Sequence, residues 1–319
     1  MECRIYNTAL DLVAVIQSWV SLEWYEEYNG IGSFTLELIS RSDYQDIRLD
    51  YYCGISDSET LMIIKSVDVK ENRVVVSGCA AVALLDDRIS TSAISGAGTN
   101  AETLMRGFIT SMTAYPRVEN GTAAGITDTY NGTLDKGSVL ERVQKIAEDL
   151  DIGFTLRHDK ASRKLLFECY KPTTATERYF TEYGNVSNPE YMRGYNGYKN
   201  VATVEGAATT VTVGATTAAG ADRKEIYIDA TTEEKGDDTS TAYQNRLKGI
   251  GLAKLAEHNL NEVLNFDIND PEVTLGEIAE CKFSEYGITA TVRIIGIDIV
   301  SQNNRTERRV TLGTPVIRR

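Results

Sequence analysis

Trp19-Val20-Ser21-Leu22-Glu23-Trp24-Tyr25-Glu26-Glu27-Tyr28-Asn29-Gly30-Ile31-Gly32-Ser33-Phe34-Thr35-Leu36-Glu37-Leu38 is the stretch on which the fold turns. Asn29-Gly30 tolerates positive φ at both residues, which makes it a strong turn signal. From Ser33 to Leu38 apolar and polar residues alternate, as they do in a half-buried strand. Residues 19–39 therefore predict a β-hairpin. Working outward, Arg4-Ile5-Tyr6 and Asp11 to Val20 are rich in apolar and β-branched residues. Leu61 to Val69 and Arg73 to Gly78 predict a second hairpin about Lys70-Glu71-Asn72. Residues 1–94 are expected to form a small β-barrel-like domain.

The pattern changes after that. Ala101 to Met112 and Ser138 to Asp149 read as helices. In the second, Val139, Val143, Ile146, Ala147 and Leu150 recur on one face, and Ser138 with Glu141 three residues on makes a capping box. Residues 113–137 between them, rich in Gly, Thr, Asn and Asp, are expected to be an exposed loop. Phe154 to Arg157 and Lys164 to Glu168 predict a hairpin, and 171–198 reads as irregular. Residues 95–198 are thus expected to be an α+β insert domain. In 199–319, strands are predicted at Asn200–Glu205, Thr209–Gly214 and Arg223–Ile228. A helix follows over about Ser240–Leu260, and a second β-barrel-like domain is built from Val263–Ile268, Glu277–Phe283, Thr289–Val300 and Arg308–Leu312. Gly287 and Asn303-Asn304 supply its turns. The expected class is mainly β, with two small barrel-like domains flanking an α+β domain.

Composition narrows the function. The chain has 319 residues, 42% hydrophobic and 25% charged, which is ordinary for a globular protein. The net charge of −13 disfavours stable nucleic-acid binding, which requires Lys and Arg to neutralise phosphates. No apolar run approaches the roughly 18 residues of a membrane span, and the start carries no secretory pattern. Residues 1–60 hold three Lys/Arg against eleven Asp/Glu, whereas 291–319 hold six Arg against Asp298 and Glu307. Such an acidic start and basic end can meet across subunits or be clustered by chance.

No residue pattern marks chemistry. Five scattered cysteines without a C-x-x-C pair argue against structural zinc. His158 and His258 lack a second ligand at helical spacing, so neither a metal site nor a His-based nucleophile is expected. Glu26 and Glu27 lie side by side on a strand, face opposite ways, and cannot be a glycosidase pair. Gly96-Ala97-Gly98 lacks a third glycine. Asp267, Asn269 and Asp270 lack the EF-hand spacing, and a turn before Pro271 is expected there. Catalytic, cofactor and metal residues are all expected to be none. The 17 tyrosines suit binding or assembly surfaces and equally suit ordinary β structure.

Four blocks, in order, resemble phage tail proteins of the Gp37-like family. They are Tyr28-Asn29-Gly30-Ile31-Gly32-Ser33-Phe34-Thr35-Leu36; Tyr198-Lys199-Asn200-Val201-Ala202 with Arg223 to Ala230; Leu275-Gly276-Glu277-Ile278 with Glu285-Tyr286-Gly287-Ile288-Thr289 and Arg293-Ile294-Ile295; and Arg309-Val310-Thr311-Leu312-Gly313. The resemblance implies a baseplate or tail-tip hub: a non-enzymatic homotrimeric ring that joins the tail tube, or a distal tail ring, to a spike or fibre. It implies synthesis in a bacterial cytoplasm and residence at the virion tail tip, without membrane or nucleic-acid partners. A host-surface carbohydrate-binding adhesin and a tail-attached cell-wall hydrolase are the alternatives. The chain ends directly after its last strand, which is expected to leave no room for a hydrolase domain. Interface candidates are Tyr25, Tyr28 and Ile31 on the first hairpin, and Arg305 and Arg308 at the basic end. Tyr25 and Tyr28 are expected opposite Trp24, whereas Trp24 and Phe34 suit a core or an interface equally.

Overall fold

The computed structural model describes all residues except 40–44, 113–116, 195–196, 259–260, 271, 303–304 and 319. The expected turn at Asn303-Asn304 and the residue Pro271 lie outside the described residues. The fold is mainly β with three α-helices among those residues: Ala101–Ser111 (α1), Val139–Leu150 (α2) and Ser240–Glu257 (α3). None is long and apolar enough to cross a membrane, which says nothing of spanning strands. Two compact units emerge, Met1–Ser187 with Asp267–Arg319, and Asn188–Phe266.

The first unit is organised by one 12-stranded sheet. The 19–39 hairpin forms as Ser21–Glu27 and Ser33–Leu38, with Trp24 opposite Phe34 and Leu22 opposite Leu36. Leu22, Trp24, Phe34, Leu36 and Leu38 are buried, so alternation sends this set into the core. Ser33–Leu38 pairs with Arg73–Ala80, which pairs with Met62–Lys70. The path continues through Tyr52–Ile55 and Cys3–Tyr6 to Leu12–Ile16.

On its other side the hairpin meets the C-terminal strands. The 15-residue strand Ile288–Gln302 pairs through its first part with Ile278–Phe283 and through its last part with Ser21–Glu27. Along its length it also carries Arg305–Leu312 and Val316–Arg318. A register shift between Ile294 and Gly296 marks the change of partner. Thr174–Phe180 runs parallel to Ile278–Phe283 at the end of the path.

Helices α1 and α2 join a three-stranded sheet of Val118–Asn120, Lys164–Tyr170 and Gly153–Asp159. Ser138 caps α2 with the full reciprocal box to Glu141, and Val139, Val143, Ile146 and Ala147 are buried. These side chains share one core with Tyr6, Tyr52, Leu61, Ile63 and Leu85 of the N-terminal region. Two expectations need correction. Residues 113–137 are not simply an exposed loop, because Val118, Ile126, Tyr130 and Leu134 are buried and Val118–Asn120 pairs with Lys164–Tyr170. Residues 171–198 are not irregular, because they contain Thr174–Phe180 and Val186–Gly194, the latter pairing with Asn261–Ile268.

In the second unit, α3 covers a sheet of Thr210–Gly214, Val201–Gly206 and Glu225–Ala230. Tyr243, Leu247, Gly251 and Leu255 face it. The helix approaches closely at Gly251, where a Cβ would stand 2.6 Å from a Val213 methyl and 2.9 Å from one of Val204.

Candidate assembly surface

The first hairpin is tied into its own chain at the turn. Asn29 adopts φ 53°, a conformation its short polar side chain tolerates. Its amide donates to the Ile152 carbonyl at 2.8 Å and its Oδ1 accepts from the Phe154 N–H at 3.0 Å. Gln144 of α2 donates to the Asn29 carbonyl at 2.8 Å. Ile31, half-buried, packs against the shared core.

Tyr28 is three residues from Tyr25, an odd spacing that period-two alternation sends to the opposite face, and it lies past the strand's end at Glu27, so the expected face shared with Tyr25 does not follow. Its N–H donates to the Ile295 carbonyl at 2.9 Å. Its ring meets Tyr170 edge-on at 6.5 Å and lies under the Arg293 guanidinium, 5.0 Å from the centroid. Arg293 donates to the Gly276 carbonyl at 3.0 Å and to Asp151 at 2.6 Å, so one guanidinium joins the hairpin, the end of α2 and the C-terminal strands. Burial raises the Tyr28 phenol, with Arg293 opposing.

Tyr25 does lie opposite Trp24. Its ring rests on Gly296, where a Cβ would come within 2.6 Å of it. Burial raises its phenol, and Glu27 and Asp298 add to this. Tyr25 pairs with Asp298, and Asp298 with Arg309. Glu23, Tyr25, Arg305 and Arg309 consequently share one sheet face, whereas Arg308 shares Trp24's. Arg305 is exposed, and Arg308 donates to the Val273 carbonyl at 2.6 Å. Arg309 pairs with Glu307 at 2.9 Å and is raised by it first, with weaker contributions from Asp298 and Glu23. Glu23 of the acidic start and Arg309 of the basic end thus lie on one sheet face within the chain, with Arg309 paired to Glu307.

The chemically capable groups are dispersed. His158 is buried, its ring edge-on to Tyr6 at 4.8 Å and its Nε2 without a partner among the described residues. His258 Nδ1 lies 2.9 Å from the Gly197 carbonyl. The five cysteines are free thiols. Burial pushes Cys169 and Cys281 up to about 12, and a hydrogen bond with Cys3 together with burial raises Cys53, so these thiols stay protonated and are poor nucleophiles. No group of three or more His, Cys, Asp or Glu among the described residues is arranged to hold a metal ion. Sequence reasoning missed the Tyr28–Arg293–Asp151 junction and the role of Asn29 as a clasp. Asp151 and Arg293 are 142 residues apart and Tyr28 lies farther still from Arg293, and no local spacing announces them.

The chain belongs to the Siphovirus ReqiPepy6 Gp37-like protein family, whose model matches residues 2–314. It shares its fold with three solved tail proteins. Prophage tail protein gp18 from Listeria monocytogenes EGD-e superposes with a TM-score of 0.57 at 11% identity, over 98% of this chain and 94% of that one. The 43 kDa tail protein of prophage MuSo2 from Shewanella oneidensis gives 0.55 at 9% identity, over 98% of both chains. A tail protein from Neisseria meningitidis MC58 gives 0.50 at 14% identity, over 98% and 95%. No curated protein matches the sequence.

Proposed function

We propose that this chain is a structural hub subunit of a phage or phage-like tail tip, which trimerises into a ring joining the tail tube to a spike or fibre. Membership of the Gp37-like family over residues 2–314 carries the reading. The architecture agrees with it: Ile288–Gln302 binds N-terminal and C-terminal strands into one sheet, a stiff frame suited to bearing load between partners. Tyr25 and Arg305 present an aromatic and a cation on the same sheet face, and this face is the proposed contact with a neighbouring subunit. The function is mechanical and needs no turnover. Immunogold labelling of intact particles with an antibody to this chain tests it. Label confined to the tail tip is expected; label along the tube or on the capsid contradicts the hub role.

A further inference from the structure

The turn that follows Ser21–Glu27, the start of Met62–Lys70 and the strand Gly153–Asp159 enclose a cavity of about 430 Å³. Its floor is apolar, formed by the buried Leu61, Met62, Val82, Phe154 and Leu156. Its charged lining is Glu26, Glu27 and Glu59, and no Lys or Arg lines it among the described residues. Glu26 is held in place by neutral donors. Its Oε1 accepts from Trp24 Nε1 at 2.9 Å, from Thr60 Oγ1 at 2.8 Å and from Ser58 Oγ.

An ionised carboxylate has about four acceptor positions on two oxygens, so three donors on Oε1 leave Oε2 available. Arg157, next to the cavity-lining Leu156, turns away to Glu168 at 2.8 Å and only approaches Glu59 at 4.0 Å. Glu26 has no basic partner among the described residues. A half-buried carboxylate bonded only to neutral donors gains further from an accompanying cation, since charge-assisted hydrogen bonds are the stronger ones. A guanidinium prefers both carboxylate oxygens at once, and one is already occupied. An ammonium is a compact point charge that needs a single oxygen, and its four-carbon stem covers apolar surface.

We infer that this cavity receives a lysine side chain from a partner protein, with its ammonium on Glu26 and its stem on Leu61, Val82 and Phe154. That the partner is another tail component rests on the hub reading; the chemistry of the cavity does not. The Trp24 indole N–H, bonded to Glu26, is a built-in reporter, and the chain has only two tryptophans.

The test is a nitrogen-15 NMR titration of the full chain, with the Trp24 indole signal assigned through Trp19→Phe. The probes are Nα-acetyl-lysine amide and its Nε-acetylated, uncharged counterpart. The charged probe should shift the Trp24 indole signal saturably and the acetylated one should not. Glu26→Gln should weaken the affinity about tenfold, the scale of one charge-assisted contact. Glu59→Gln, which alters an exposed side chain and spares the fold, should weaken it less. No saturable shift, an equal shift with the acetylated probe, or unchanged affinity in Glu26→Gln overturns the inference. The titration reads the cavity in monomer and ring alike, so its failure and the failure of the hub reading are separable.

Discussion

Glu102 shows how much one side chain can organise. It sits in the first turn of α1, 4% exposed, and its two oxygens accept the backbone N–H groups of Ala124 and Ile126 at 2.6 and 2.9 Å. Removing it orphans two donors near a buried Ile126. Glu102→Ala should therefore lower stability by about 2–4 kcal/mol in urea unfolding; a loss under about 0.5 kcal/mol would show the contacts to be inconsequential. His158 gives a pH signature. Burial lowers its pKa, with Lys160 adding and Asp159 opposing. The folded state therefore favours the neutral ring, and its contribution, complete above the unfolded value of about 6.5, is lost as pH falls below that value toward the folded pKa. His158→Gln should flatten the decline in stability below about pH 6.5; an unchanged pH profile would contradict this. Neither role was legible in sequence. The partners of Glu102 lie 22 and 24 residues away in a segment whose polar composition reads as exposed.

At the level of elements, legibility followed periodicity. The hairpins of the first 80 residues alternate with period two, and α2 carries its cap in four residues, so both could be read locally. Thr174–Phe180 could not, because its pairing is parallel to a strand about 100 residues away and its middle residues are Thr, Glu and Arg. Val186–Gly194 contains Pro189, and Asn188 takes φ 50°, both of which read as loop. Asn29 supports the hairpin through its left-handed backbone and two side-chain bonds. Asn29→Ala should cost about 2–3 kcal/mol, the sum of backbone strain and lost bonds. Asn29→Gly should cost less, since glycine adopts this φ freely; the reverse order would refute the clasp. Gly251→Ala sets helix propensity, worth about 1 kcal/mol, against a Cβ 2.6 Å from Val213. Overpacking costs about 1–3 kcal/mol, so net destabilisation is expected in thermal unfolding, and a raised Tm would contradict the close approach.

Over the whole molecule, the sequence disclosed the mainly β class and the order of strands, helices and strands. It did not disclose that Ile288–Gln302 completes the sheet begun by Ser21–Glu27, because register between strands more than 250 residues apart leaves no local pattern. Of the candidate surface, Tyr25 and Arg305 lie on one face, while Tyr28 and Ile31 are engaged with the chain's own junction and core. The proposed ring must then be built on the surface the monomer leaves open. Its stoichiometry is the most direct test. Light scattering on the purified chain over a rising concentration series should approach a mass three times the 35.2 kDa of one chain. A stable dimer, or a mass that stays at one chain at every concentration, would contradict the trimeric hub.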